Sequence, residues 1–191
     1  MKRWLALSLL LLLGACGYNR IQSLDEQAAT AQGQIEVQLQ RRADLIPNLV
    51  NTVKGYAQHE EAVFTQVAQA RSGLLGAVQA HDPEQMANAN AQLTAALGRL
   101  LVVSEAYPQL KADQSFLRLQ DELTGTENRI AVSRNDYNQT VNAYNAYIRQ
   151  FPAVITAKVT GAKSRKYFTA TGGAQEGPPP VDFSKPTPPK P

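Results

Sequence analysis

Ile35-Glu36-Val37-Gln38-Leu39-Gln40-Arg41-Arg42-Ala43-Asp44-Leu45-Ile46-Pro47-Asn48-Leu49-Val50 decides the fold class. Its apolar residues recur at steps of three and four, the spacing that lines one face of an α-helix. The series runs on unbroken through positions 35, 39, 42, 46, 49, 53, 56, 60, 63, 67, 70 and 74, like a coiled-coil seam. Alternation with period two is confined to short stretches such as Ile35 to Gln40, aromatics make up only 7% of the chain, and Ala, Gln and Leu are abundant. The body therefore reads as all-α.

Asp44 is a natural N-cap, and Pro47 suits a first turn because its missing N–H would have no partner there. The expected arrangement divides the series at Asp44; one kinked helix is the alternative. A helix from 18 to 79 would be about 90 Å long, against about 35 Å for the third helix, and much of its stripe would lack a partner.

Outward from this point, four segments follow. The first, from Tyr18 to Arg42, carries Ile21, Leu24, Ala28, Ala31, Ile35 and Leu39. The second, from Asp44, carries Leu49, Val53, Tyr56, Val63, Val67 and Leu74, and ends near the Gly73 and Gly76 pair and His81. Asp82 then caps a third, with Pro83 at its first position and Met86, Leu93, Leu97 and Leu100 on its stripe. It stops at Tyr107-Pro108, because the residue before a proline is pushed out of the helical region. The fourth runs from Phe116 through Leu119, Leu123, Ile130, Tyr137, Val141, Tyr144 and Ile148 to Phe151-Pro152. Residues 16–170 are thus expected to form an antiparallel, up-and-down four-helix bundle.

Some polar residues fall on these apolar stripes: Arg42 and Glu60 early, Thr126 and Arg134 late, with Glu127 and Arg129 beside them. Charges buried there must pair. They fix helix register, or they line a polar groove for a partner, and in that second case Arg41, Arg42 and Glu127 are the binding candidates. Tyr137-Asn138 and Tyr144-Asn145 lie one heptad apart on one face, where core packing with side-chain hydrogen bonds is expected and ligand recognition is the alternative. Lys158, Lys163, Arg165 and Lys166 follow the fourth helix and either meet an anionic membrane surface or are solvated.

The N-terminus supplies the anchor. Met1-Lys2-Arg3 precedes an apolar run from Trp4 to Leu13, too short to span a bilayer, and then Gly14-Ala15-Cys16. Leu13-Gly14-Ala15-Cys16 resembles a bacterial lipobox, so residues 1–15 read as a lipoprotein signal and Cys16 as the lipidated first residue of the mature chain. Two or three acyl chains, palmitate among them, make a stable anchor where one is marginal. Cys16 is the only cysteine, so no disulfide forms within the chain. Lys2 and Arg3 leave with the signal, which takes the formal charge from +3 to +1 and removes the case for nucleic-acid binding.

At the other end, residues 171–191 include Gly177-Pro178-Pro179-Pro180, Pro186, Pro188, Pro189 and Pro191. This composition predicts a disordered, partly polyproline II tail. Catalytic signatures are scarce. His59-Glu60-Glu61-Ala62-Val63 lacks a second histidine four residues on, and there is no nucleophile elbow or phosphate-binding loop. No metal site, no cofactor and no enzyme activity are expected.

Several blocks resemble the LemA family: residues 35–50, Thr52-Val53-Lys54-Gly55-Tyr56, His59-Glu60, Gly98-Arg99-Leu100 and Glu105-Ala106-Tyr107-Pro108-Gln109-Leu110-Lys111. Thr126-Glu127-Asn128-Arg129-Ile130, the two Tyr-Asn pairs, Phe151-Pro152 and Gly161 to Phe168 continue the likeness over nearly the whole body. The resemblance implies a membrane-attached helical bundle of the bacterial envelope, without established catalytic activity. Two features depart from the family pattern: a lipobox stands where an N-terminal membrane helix is common, and a tryptophan often found before Ile35 is missing. Gly17 is not the aspartate that retains enteric lipoproteins at the inner membrane, which leaves either membrane open. The expected role is a scaffold or adaptor for a protein partner, with a self-assembling structural lipoprotein as the first alternative and an envelope enzyme as the less favoured one.

Overall fold

A computed structural model describes the backbone of residues 2–170 and the side chains from Gly17 onward. Among these residues every regular element is helical: α1 (Lys2–Lys54), α2 (Glu61–Gln79), α3 (Pro83–Glu105), α4 (Pro108–Lys111), α5 (Gln114–Tyr147) and α6 (Ala153–Thr160). The expected proline-rich tail and the Cys16 side chain lie outside what is described.

The chain does not divide at Asp44. Helix α1 passes through Asp44 and Pro47 and ends at Lys54, followed by a turn over 55–60. Three local facts explain the shift. Asp44 Oδ1 accepts from Gln40 Nε2 one turn earlier on the same helix, at 2.9 Å, so the carboxylate is spent along the helix surface and does not cap a new start. Proline at position 47 has no N–H for the Ala43 carbonyl, and Arg71 Nε of α2 supplies one at 2.8 Å. Gly55, with the basic Lys54 before it, is the weaker helical position and takes the break.

A long α1 does not lack partners, contrary to what its length against a short third helix suggests. Instead α5 accompanies α1 along much of its course, α2 packs on the C-terminal half of α1, and α6 packs near its N-terminal end. The turn also displaces the buried stripe by one residue. Ala57 and Phe64 are buried where the unbroken series points to Tyr56 and Val63, and Val67 and Leu74 then keep their expected places.

Cross-helix bonds fix the directions. Arg42 of α1 meets Glu127 of α5, and Tyr56 beyond the end of α1 meets Asp113 before the start of α5, so those two helices are antiparallel. Arg71 reaching back to Ala43 makes α2 antiparallel to α1. Glu36 lies against His81, and Arg42 against Asn90 and Thr94, so α3 runs with α1. One core joins these helices through Leu39, Ile46, Leu93, Leu100, Phe116 and Ile130. A second, smaller cluster of Ile21, Leu24, Tyr144, Ile148 and Ala157 closes the end near Gly17.

The start of α3 follows expectation: Asp82 Oδ1 accepts from the Glu84 and Gln85 amides at 3.0 and 3.2 Å, with Pro83 at the first position. Asp113 repeats the device for α5, accepting from Ser115 and Phe116. Helix α6 ends at Gly161, whose φ of 74° is the left-handed conformation that a glycine adopts without a Cβ penalty. The Ala162 amide bonds back to the Ala157 carbonyl there, at 2.9 Å, and the chain leaves along α5.

Candidate functional site

The polar residues expected on the apolar stripes separate into two constellations. The first surrounds Arg42, which is buried between α1, α3 and α5. Its Nη1 lies 2.5 Å from both Asn90 Oδ1 and Glu127 Oε2, and its Nη2 donates to Thr94 Oγ1 at 3.0 Å. Burial pulls the guanidinium below its ordinary value, and the Glu127 carboxylate opposes this by charge and hydrogen bonding. Arg42 Nε and Gln38 Oε1, one helical turn apart, are buried without a hydrogen-bond partner among the described residues.

This geometry places the three candidate binding residues differently. Arg42 is enclosed, and its donors are turned onto three neighbouring side chains. Glu127 is 43% exposed, with one edge on Arg42 and the other toward solvent, and Arg41 is exposed outright. Of the remaining stripe residues, Thr126 is buried and bonds to the Leu123 carbonyl. Glu60 is half-buried in the turn, and Arg129 and Arg134 are exposed. Arg134 misses the core because the buried stripe passes from Ile130 to Tyr137, with Ser133 as the partly inward residue between them.

The second constellation is built by the two Tyr-Asn pairs, whose expected core packing and side-chain hydrogen bonds are both present and form a clasp on residues 162–170. Asn145 makes two bonds to the backbone of Arg165, donating to its carbonyl and accepting from its amide, both at 2.9 Å. Asn138 does the same to Phe168, at 3.3 and 2.9 Å. Between them Tyr137 donates from its hydroxyl to the Lys166 carbonyl at 2.8 Å. Seven residues of helix rise about 10 Å, the reach of three residues of extended chain, so one heptad on α5 matches the step from 165 to 168. Two amide side chains thus take the place of a neighbouring strand.

Ion pairs hold the same segment. Arg165 Nε lies 2.7 Å from Asp25 Oδ1 and Lys166 Nζ 2.7 Å from Asp82 Oδ2. The Asp25 bond raises Arg165 above its ordinary value, while the Lys166 bond and two backbone amides hold Asp82 below its own. Half of the basic group is therefore committed to the fold, and Lys158 and Lys163 remain exposed. The heptad repeat of Tyr-Asn marked the clasp in the sequence, but nothing there identified the chain's own backbone as what it grips.

Among the described residues no three His, Cys, Asp or Glu side chains group as metal ligands, and no helix is long and apolar enough to cross a membrane. His59 is exposed in the turn, and His81 Nδ1 lies 3.0 Å from Glu36 on the surface. The arrangement can fix helix register and bind peptide backbone.

Comparison with known proteins places this architecture. The chain is 28% identical over 174 residues to Magnetosome protein MamQ 2 of Paramagnetospirillum magneticum, covering 79% of this chain and 64% of that protein. Magnetosome protein MamQ of Magnetospirillum gryphiswaldense is similar at 27% identity, with the same coverage. Protein LemA of Metamycoplasma hominis is 24% identical over 134 residues, covering 70% of this chain and 60% of that one. The chain thus spans a little under two thirds of the length of these relatives. The LemA family profile matches residues 31–183, a span that takes in the Arg42 network and the whole clasp. On that match, the chain belongs to the LemA family.

Proposed function

We propose that this protein is lipid-anchored in the bacterial envelope through Cys16, and that its body is an up-and-down four-helix bundle serving as a non-catalytic scaffold or adaptor for a protein partner. One observation carries the reading: α1 runs through Cys16 to Lys54 without interruption, so cleavage before Cys16 would leave the anchored residue at the head of the central helix of the body. A membrane-held N-terminus would then set the height and tilt of everything packed on α1. The partner face would use Arg41 and the outer edge of Glu127, with Arg42 holding Glu127 in place. In a Gram-negative cell the site would be the periplasmic side of either membrane.

Intact mass of the membrane-extracted protein beside a Cys16→Ala variant tests the anchor. Cleavage before Cys16 with added acyl chains, both lost in the variant, supports it; an unmodified chain in both samples overturns it. Loss of partner capture by Arg41→Glu at unchanged melting supports the adaptor face. A second reading, self-assembly, draws on Val37 and Val132, 63% and 62% exposed on the α1 and α5 surfaces. Charge at either position should then split an assembly seen by light scattering.

A further inference from the structure

We propose that α6 is a membrane-contacting helix that lies in the lipid interface beside the anchor, through Phe151, Ile155 and Val159. The inference rests on the Cys16 anchor proposed above and specifies what the body does once it is anchored. Helix α6 is two-faced. Ala153 and Ala157 are buried, Ala157 within the small core cluster, whereas Ile155 and Val159 of the helix and Phe151 in the turn just before it are 56%, 83% and 82% exposed. A stripe this apolar and this exposed is costly to keep in water unless something covers it.

Its location identifies the cover. A Cβ on Gly17 would stand 3.2 Å from Thr156 Oγ1 and 3.9 Å from Ala153 Cα, so the backbone one residue after Cys16 touches α6. The proposed anchor residue thus adjoins a contact with α6, one helix diameter across from this stripe. Tyr18, 45% exposed, adds an aromatic of the kind found at headgroup level.

Charge points the same way. No Asp or Glu occurs from 137 to 175, while Arg149, Lys158, Lys163, Arg165 and Lys166 do. With Arg165 and Lys166 paired to Asp25 and Asp82, the exposed Arg149, Lys158 and Lys163 remain to face an anionic leaflet. An apolar stripe, a flanking aromatic and unopposed cations are the composition of an interfacial helix.

The test uses the membrane-extracted chain acylated at Cys16, from which Trp4, the only tryptophan, has left with the signal. Phe151→Trp, or Val102→Trp on the exposed surface of α3, is reconstituted into phosphatidylglycerol vesicles brominated near the headgroup or at the chain ends. The expected result is a blue shift and loss of emission at position 151, stronger with shallow bromines, reduced by adding Ile155→Ser and Val159→Ser, and absent at position 102. Equal quenching at both positions means unspecific adsorption and overturns the proposal. Vesicle-bound protein whose indole at 151 stays unquenched also overturns it. Access of iodide to that indole then shows a bare surface, and protection from iodide shows cover by a second copy or by the tail. Protein that fails to bind vesicles at all sinks the anchor itself, a failure distinct from the others.

Discussion

Arg71 Nε donates to the carbonyl oxygen of Ala43 at 2.8 Å, across the interface between α1 and α2. That carbonyl is the one Pro47 leaves without its helical donor, and Ala43 is fully buried, so water does not reach it. A proline that would otherwise break the longest helix is thus made tolerable from a second helix, and the bond pins α2 to the register of α1. We expect Arg71→Met to cost about 1–2 kcal/mol, the range for losing a charged donor to a buried acceptor. In a Pro47→Ala background, where residue 47 again offers an N–H, the cost should fall to about 0.5 kcal/mol or less. Urea melts of the four proteins check this, and additive effects would refute it.

Arg42 should behave as a residue of the fold. Arg42→Ala leaves Asn90 Oδ1 and the inner edge of Glu127 without their donor, while Thr94 Oγ1 keeps its bond to the Asn90 carbonyl, at a cost of about 2–4 kcal/mol given that Glu127 is partly solvated. Arg42→Met removes the buried charge along with the bonds and should cost less. Arg41→Ala, at an exposed position, should lie within about 0.5 kcal/mol of the parent. Equal effects at 41 and 42 in denaturant melts would contradict the burial difference.

Periodicity made the helical stripes legible because it reports burial directly: Ile21, Leu39, Leu74, Leu93, Leu100 and Val141 are all buried as the spacing requires. Asp82-Pro83 was legible for the same local reason, since its cap bonds reach only two and three residues along the chain. Misplacing the break at Asp44 was a different kind of error. Cap and proline rules describe a helix in isolation, and the group that rescues the Ala43 carbonyl lies twenty-eight residues away on Arg71. The clasp was half legible. A heptad of Tyr-Asn showed a shared face, but its ligand is backbone, which carries no side-chain signature. Helix α6 was missed because Pro152 read as an end of structure, and a proline is equally suited to starting the next helix.

The Tyr137 phenol should titrate late. Burial pushes its pKa from the ordinary 10.0 up to about 12. The raised value means that the folded state favours the neutral phenol, which also keeps its bond to the Lys166 carbonyl. This contribution, about 2–3 kcal/mol by linkage, is complete below pH 10 and is lost as pH rises from 10 toward 12. Absorbance of the seven tyrosines followed beside helicity should show a last ionisation that coincides with unfolding. Tyr137→Phe should remove that step, and a Tyr137→Phe protein with an unchanged titration curve would refute the assignment.

Release of residues 162–170 can be separated from loss of the fold. Asn145→Ala removes both bonds to the Arg165 backbone, and Asn138→Ala both bonds to Phe168, at about 1–2 kcal/mol each. Asn145→Asp is more discriminating. Its carboxylate still accepts from the Arg165 amide, but it has no donor for the Arg165 carbonyl and sets an oxygen against it. That variant should protect the Arg165 amide from hydrogen exchange better than Asn145→Ala while still loosening the segment. Trypsin offers a second readout, since Lys163, Arg165 and Lys166 all lie within it. Cleavage there should accelerate in the single variants and more in the double, while α1 and α5 keep most of their helicity because Phe168 is the one fully buried member of the main core that the segment supplies. If cleavage accelerates only together with loss of helicity, the asparagines hold the helices and not the segment, and the clasp is misread.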